Sequence, residues 1–378
     1  MGLLAYQPFK GVYALSAVGF ELARFPLWLV KYALSYGRQH PEYSFRQALG
    51  VRVLFSAVYH MARVQVATPL PLTPGAEKER FVVIKAKPED RALFKGPMLS
   101  NEDIQPTDIG ATWFPAPLSK ESDLSNVVVV LHIHGGAYVI SDGRTGSHGY
   151  FAKKMLKNSS ASHVLSPQYR LSTLPASKTS NPFPAALQDT LTSYLYLIND
   201  LKVQPSNIIL SGDSAGANNA IAFLRYLSEY GTDTGLPNPS AAWLWSPWVN
   251  IGNDTDEFTR TNPHYGSDYI SYAFMHWGAA AYAGKQGRKV LDSPYVSSKG
   301  HPFKTEVPLF VNTCGAEVLY FEDVEFAEEM EKAGNNVTLD VEKVAPHDVL
   351  LIGGNLGFDK EADASAKRAG EWYRTVRK

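Results

Sequence analysis

The chain has 378 residues, 45% of them hydrophobic and 12% aromatic, with a formal net charge of −1. That length and apolar content suit one large domain with a full core, and the near-neutral charge argues against nucleic acid or an acidic polymer as a partner. The single cysteine, Cys314, excludes an intrachain disulfide framework and a Cys-cluster zinc site, and agrees with a reducing, cytoplasmic setting.

Residues 1–66 read as two helices broken near SYGRQHPEYS, and they carry seven Lys/Arg against two Glu, a local excess of +5. Within them GVYALSAVGFELARFPLWLVKYAL is strongly apolar. Glu21, Arg24 and Lys31 interrupt it before it reaches the ~18 uncharged residues of a membrane span. It also lacks the small-residue exit of a cleaved signal. The expectation is an N-terminal helical cap segment, residues 1–75, packed over a pocket of the same protein. Peripheral contact with a membrane surface through this basic, aromatic stretch is the alternative.

After the Pro-rich ATPLPLTPG the rhythm changes. RFVVIKA and IGATWFP alternate apolar and polar residues in the manner of exposed strands, whereas NVVVVLHIH is the continuous β-branched run of a strand buried on both faces. A helix over 148–158, a strand over 163–168, a helix over 183–201, the strand NIILS, a helix from Ala215 to about Tyr230 and the strand AAWLWSPWV follow. Strands alternating with helices predict an α/β fold, a mostly parallel sheet covered on both faces. Residues 250–305 are rich in aromatic residues, lack a buried-strand signature and read as an insertion joining the N-terminal helices over one end of the sheet. VPLFVNTCG, a helix over 322–333, NVTLDVEKV and a terminal helix to about Arg377 restore the alternation. The core then comprises residues 76–249 and 306–378.

ILSGDSAG, residues 209–216, sets Ser214 between glycines where a strand gives way to a helix. Gly-x-Ser-x-Gly alone is a weak signal, and an ordinary Gly-rich turn is the plain alternative. The buried strand before it and the helix directly after it supply the context of a nucleophile elbow. Gly212 and Gly216 let the backbone turn sharply, and Ser214 stands at a helix N-terminus, where the dipole favours a developing alkoxide. Upstream, HIHGGAY closes the most buried strand. Gly135 and Gly136 offer unshielded N–H groups as oxyanion donors, and the N–H of Ala215 completes the set. His132 and His134 form an H-x-H pair of metal-binding type, but no third ligand of suitable spacing is evident, so His134 reads as shaping the glycine loop. GAAAYAGKQ resembles a phosphate loop only superficially, with one residue too many between its glycines and Gln286 where Ser/Thr would hold magnesium.

HGGAY, SPQYRLS, FPAALQD, GDSAG and SPWVN resemble, in order and spacing, the hormone-sensitive lipase-like branch of the α/β-hydrolases, from about residue 108 to the C-terminus. The N-terminal segment matches only in kind, as a helical cap. The resemblance implies the α/β-hydrolase fold and cleavage of carboxylic esters through an acyl-enzyme, on a small to medium apolar small-molecule substrate, with no metal or organic cofactor. It also implies the chain order serine, acid, histidine. Glu317 takes the acid place, where Gly315-Ala316-Glu317-Val318-Leu319 aligns with the family's Gly-x-Asp-Pro-Leu; both the Asp and the Pro are replaced. His347, in APHDVL, is the one histidine of ten that lies beyond the acid. Glu322 and Asp323 read as complements to a helix dipole, and Asp348 as pointing away from the neighbouring imidazole. Asn250 stands where the branch often has Asp, and Ala137 replaces the third glycine of HGGG; neither removes a reacting group. Phe20, Phe25, Trp28, Tyr269, Tyr272, Phe274 and Trp277 are candidates to line an apolar pocket. Relatives also use this cleft for acyl transfer, lyase or cyclisation chemistry, or as hormone receptors that have lost the histidine, which this chain keeps.

Overall fold

In a computed structural model that describes residues 3–377, eight strands form one sheet. They are β1 (Phe81–Ile84), β2 (Ile109–Phe114), β3 (Val129–Ile133), β4 (His163–Gln168), β5 (Ile208–Asp213), β6 (Ala241–Trp245), β7 (Leu309–Cys314) and β8 (Val337–Glu342). Their order is β1-β2-β4-β3-β5-β6-β7-β8. β2 runs antiparallel to β1 and β4, and every other pairing is parallel. The central strands are continuous apolar runs because helices cover the sheet, leaving no solvent side to reward a polar residue.

The helices are α1 (Phe9–Ala33), α2 (Phe45–Val64), α3 (Thr145–Asn158), α4 (Ala185–Leu195), α5 (Ala215–Thr234), α6 (Asp256–Thr261), α7 (Tyr272–Ala283), α8 (Arg288–Leu291), α9 (Tyr320–Lys332), α10 (Val349–Leu356) and α11 (Asp359–Val376). α4 packs with α5 as one layer, and α3 with α10 and α11 as another. α6, α7 and α8 fall in the segment 250–305, and α2 docks on α7 and α10.

Three differences from the sequence reading have physical causes. IGATWFP resembles an exposed strand, yet all six residues of β2 are buried, because β2 is an interior strand and α3 and the turn at 75–80 pack on it. AAWLWSPWV ends as a strand at Trp245, where Ser246 takes a φ of 42° and turns the chain out of the sheet. The C-terminal helix is preceded by α10, which starts directly after His347 and closes on Gly357 in the left-handed conformation.

The N-terminus departs further. A capping box between Ser44 and Gln47 starts α2, as the break at SYGRQHPEYS requires. α1 is one continuous 25-residue helix, about 37 Å long. It buries only Ala17, Trp28 and Tyr32, while Leu15, Leu27 and Val30 stand 78%, 68% and 67% exposed. By length and composition it suffices to cross a membrane. Its polar side chains turn the other way. Tyr13 and Glu21 both bond to His60 of α2, at 2.8 and 3.1 Å, and Lys10 Nζ donates to the Gln65 carbonyl at the end of α2. Tyr13, Glu21 and Lys10 thus meet α2 alongside the buried Ala17 and Trp28, while most of the helix's large apolar side chains face away.

Two of the sequence motifs meet in one buried ion pair. Arg170, of SPQYRLS, gives its Nη2 to Asp189 Oδ1 at 2.7 Å and its backbone N–H to Asp189 Oδ2 at 2.7 Å. Asp189, of FPAALQD, lies fully buried on α4, and the same guanidinium reaches the Gln105 carbonyl ahead of β2. Removing one partner of such a pair strands a buried charge. Asp189→Ala is expected to lower the unfolding free energy by about 3–5 kcal/mol, measured by urea denaturation.

Candidate active site

Ser214 sits between β5 and α5 with φ 51° and ψ −118°, a conformation that L-residues adopt only under constraint. Sterics supply the constraint. A Cβ on Gly212 would stand 2.4 Å from the Gly216 carbonyl carbon, and one on Gly216 would stand 2.0 Å from the Ile133 carbonyl oxygen. Backbone touches backbone on both sides of the serine, so the turn cannot open. The HGG loop folds against the same elbow. Gly136 has φ 97°, and a Cβ on Gly135 would lie 2.2 Å from Asp213 Oδ2. Gly135, Gly136 and Ala215 therefore border Ser214 closely.

Glu317 and His347 enter from the loops after β7 and β8. His347 Nδ1 is 2.6 Å from Glu317 Oε2, with both side chains buried. Glu317 Oε1 accepts from the Cys314 N–H at 2.7 Å and the Thr313 hydroxyl at 2.6 Å, which aims the other oxygen at the imidazole. Burial disfavours the imidazolium, but the Glu317 hydrogen bond and charge outweigh it and hold His347 above its usual range. Ser214 and His347 line one cavity of about 170 Å³, together with Gly136, Tyr269, Phe274 and Met61.

The sequence reading missed Asp268. Its carboxylate accepts three backbone N–H groups: Tyr269 at 2.7 Å and His347 at 3.1 Å on Oδ1, and Val318 at 2.8 Å on Oδ2. It thereby pins the acid loop and the histidine loop to the segment before α7. Burial pushes it up to about 6. No sequence pattern marks it, since its partners are backbone groups far along the chain. Met61, Val58 and Leu54, which bring α2 into the cavity wall, were missed likewise.

Glu322 and Asp323 lie in the first turn of α9, as expected, but both are buried and bound to neighbouring side chains. Burial and the Glu317 charge push Asp323 well above its usual range, and its Oδ2 lies 2.9 Å from the Thr313 hydroxyl. Glu322 accepts from Asn250 and Asn253, which gives Asn250 its role in the floor of the segment 250–305. Asp348 adopts φ 53°, not an extended conformation, so its carboxyl faces the same cavity as His347. Of the aromatic candidates, Tyr269 and Phe274 line this cavity, while Phe25 and Trp28 line another between α1 and α2. Phe20 is exposed, and neither Tyr272 nor Trp277 lines either cavity.

Behind the elbow, His132, His148 and Asp213 bring three candidate ligand atoms within 4.8 Å of one another. The H-x-H partner His134 is not in the group; α3 supplies His148 instead. His132 Nε2 is 3.1 Å from Asp213 Oδ1 and His148 Nε2 is 3.6 Å from it. Burial pulls His132 down to about 4 and His134 down to about 3, so both rings are neutral. Burial would raise Asp213, but the flanking imidazoles prevail and hold it well below its usual range. The group is a carboxylate kept ionised by two imidazoles directly behind the serine. His134 Nδ1 meets the Gly135 carbonyl at 2.8 Å and its ring stacks on Tyr169, fixing the glycine loop.

Residues 130–351 match the family model of the α/β hydrolase fold. The sequence is 30% identical over 213 residues to an acetyl-hydrolase of Streptomyces hygroscopicus, covering 56% of this chain and 64% of that protein, just under two thirds of its length. It is 27% identical over 257 residues to the esterase LipU of Mycobacterium tuberculosis (strain ATCC 25618 / H37Rv), covering 65% of this chain and 77% of that one. A crystal structure of an esterase from the bacterial hormone-sensitive lipase family superposes with a TM-score of 0.58 at 26% identity, over 86% of this chain and 99% of that one.

Asp268→Asn turns one acceptor into a donor facing an N–H. The expected outcome is a loss of about 1–3 kcal/mol in thermal unfolding. Because the loop carrying the imidazole shifts, kcat on a soluble ester is expected to fall about tenfold to a hundredfold with KM little changed.

Proposed function

This chain belongs to the α/β-hydrolase fold family, and we propose that it hydrolyses carboxylic esters as a serine hydrolase, through an acyl-enzyme. The observation that carries the reading is the buried 2.6 Å bond between His347 and Glu317, facing the cavity that Ser214 also lines. In this reading His347 takes the Ser214 proton through Nε2, and Ser214 Oγ attacks the ester carbonyl. The N–H groups of Gly135, Gly136 and Ala215 receive the oxyanion. His347 then protonates the leaving alcohol, water releases the acid by the same steps, and Glu317 fixes the tautomer and stabilises the imidazolium. The relatives named acetyl-hydrolase and esterase support ester substrates, and the 170 Å³ cavity supports a small to medium apolar group beside the serine. Every group in the sequence of steps is a side chain or a backbone N–H of this chain, and none requires a metal or organic cofactor.

The helical segments 1–75 and 250–305 act together in this proposal as a cap, with α2 and α7 as its inner wall. α1 lies on its outer side as a peripheral membrane contact, at the cytoplasmic face, where the buried thiol of Cys314 stays reduced. Its row of exposed apolar side chains supports this, since an apolar face of that size is stable only against lipid or protein.

Ser214→Ala is expected to lower turnover by about 10⁶, with little change in melting temperature. Near-normal ester hydrolysis by that variant, or failure of the wild type to react with a fluorophosphonate, ends the reading. Glu317→Gln is expected to lower kcat by about 10⁴. Because Glu317 raises the His347 pKa, the acid limb of kcat/KM in the variant lies at lower pH than in the wild type. Leu15→Glu combined with Leu27→Glu, both at exposed positions, is expected to abolish flotation with anionic vesicles while hydrolysis of p-nitrophenyl acetate continues.

A further inference from the structure

A second cavity, of about 510 Å³, opens between α1 and α2. Its walls include Ala17, Val18 and Trp28 from α1, and Val53, Ala57 and Met61 from α2. Of the polar side chains bordering it, Tyr13 and Glu21 are bound to His60, while the buried Ser56 hydroxyl has no partner among the described residues. An occupant therefore meets hydrocarbon almost throughout, with one free hydroxyl in the wall. Met61 is the residue common to this cavity and the one holding Ser214 and His347, so a single flexible side chain stands where the two abut. The catalytic cavity, at about 170 Å³, is smaller than the ~300 Å³ at which pockets for drug-sized ligands begin, whereas its neighbour falls inside that class.

We propose that the groove between α1 and α2 holds the unbranched alkyl chain of the ester whose carbonyl reaches Ser214 past Met61, and that the chain enters from the lipid against which α1 lies. This rests on the serine-hydrolase reading and specifies its substrate class: an amphiphile with one long alkyl chain attached to a short group at the ester. The occupant follows from continuity with the catalytic cavity, from a lining that is apolar apart from the mutually bound Tyr13, Glu21 and His60 and the Ser56 hydroxyl, and from the outward apolar face of α1. An extended peptide would need backbone hydrogen-bond partners that this lining does not offer. The chain can belong to the acid or to the alcohol of the ester.

Two ester series, on the full-length protein with detergent-dispersed substrates, separate these cases: p-nitrophenyl esters from acetate to palmitate, and acetates of n-alkyl alcohols from ethyl to hexadecyl. In one series, kcat/KM is expected to climb with length, by up to about fourfold per buried methylene. That series identifies the side that bears the chain. Ala57→Trp and Val53→Trp both fill the groove from exposed positions at different levels of α2, away from the catalytic cavity. Each is expected to lower the ratio of long-chain to short-chain kcat/KM at least tenfold. If both series peak at their shortest members, or if both variants that retain a wild-type melting profile leave the ratio unchanged, the groove is not the alkyl site. Absence of turnover on every ester, acetates included, overturns the hydrolase reading and this one with it.

Discussion

Everything near Ser214 depends on backbone lying against backbone with no room for a Cβ. The elbow closes because Gly212 and Gly216 let strand and helix approach, and the HGG loop closes over Asp213 because Gly135 has no side chain. These contacts hold a serine in a conformation it would otherwise leave, at a strain of order 1–3 kcal/mol that the packed sheet resists. The same closeness sets the lip of the cavity, since Gly136 turns through a positive φ that a side chain would block against the Ile140 carbonyl. Shape here is fixed by what is absent.

Charge is the second organising constraint. Asp213, Asp268, Glu317, Asp323 and Asp348 are all buried around the cavity, and five bare carboxylates could not coexist there. The structure treats each differently. Asp213 stays ionised between two imidazoles, and Asp268 spreads its charge over three backbone N–H groups. Glu317 faces His347, Thr313 and the Cys314 N–H. Asp323 and Asp348 are pushed well above their usual range, first by burial and then by the charges beside them.

The alternation of strands with helices and the motif-bearing turns after β3, β5 and β7 were legible because buried parallel strands announce themselves as apolar runs and the motifs sit at their C-terminal ends. IGATWFP misled because Gly110 and Thr112 look like solvent positions, although both are buried within the sheet. Asp323 misled for a related reason: an acidic residue at a helix start has a sufficient role at the surface, and only tertiary packing reveals Thr313 beside it. Asp268 left no trace, since a carboxylate that binds only backbone N–H groups imposes no residue type on its partners. The N-terminal charge excess said nothing of how individual side chains turn, and only the fold shows Tyr13 and Glu21 bonded to His60 of α2.

Cys314 ends β7, fully buried, with its sulfur 3.9 Å from the Ser246 hydroxyl and its N–H bound to Glu317. Burial pushes the thiol well above its usual range, so in the closed protein it is unreactive. The Cys314 N–H and the Thr313 hydroxyl beside it both hold Glu317, so a fluctuation that draws this strand end out to bare the thiol also releases Glu317 from its donors. The rate at which a thiol reagent consumes the one cysteine is then a clock for local opening of the acid loop, read without substrate and without turnover. The chain carries, in a residue with no part in the chemistry, a native reporter of how long its machinery stays assembled.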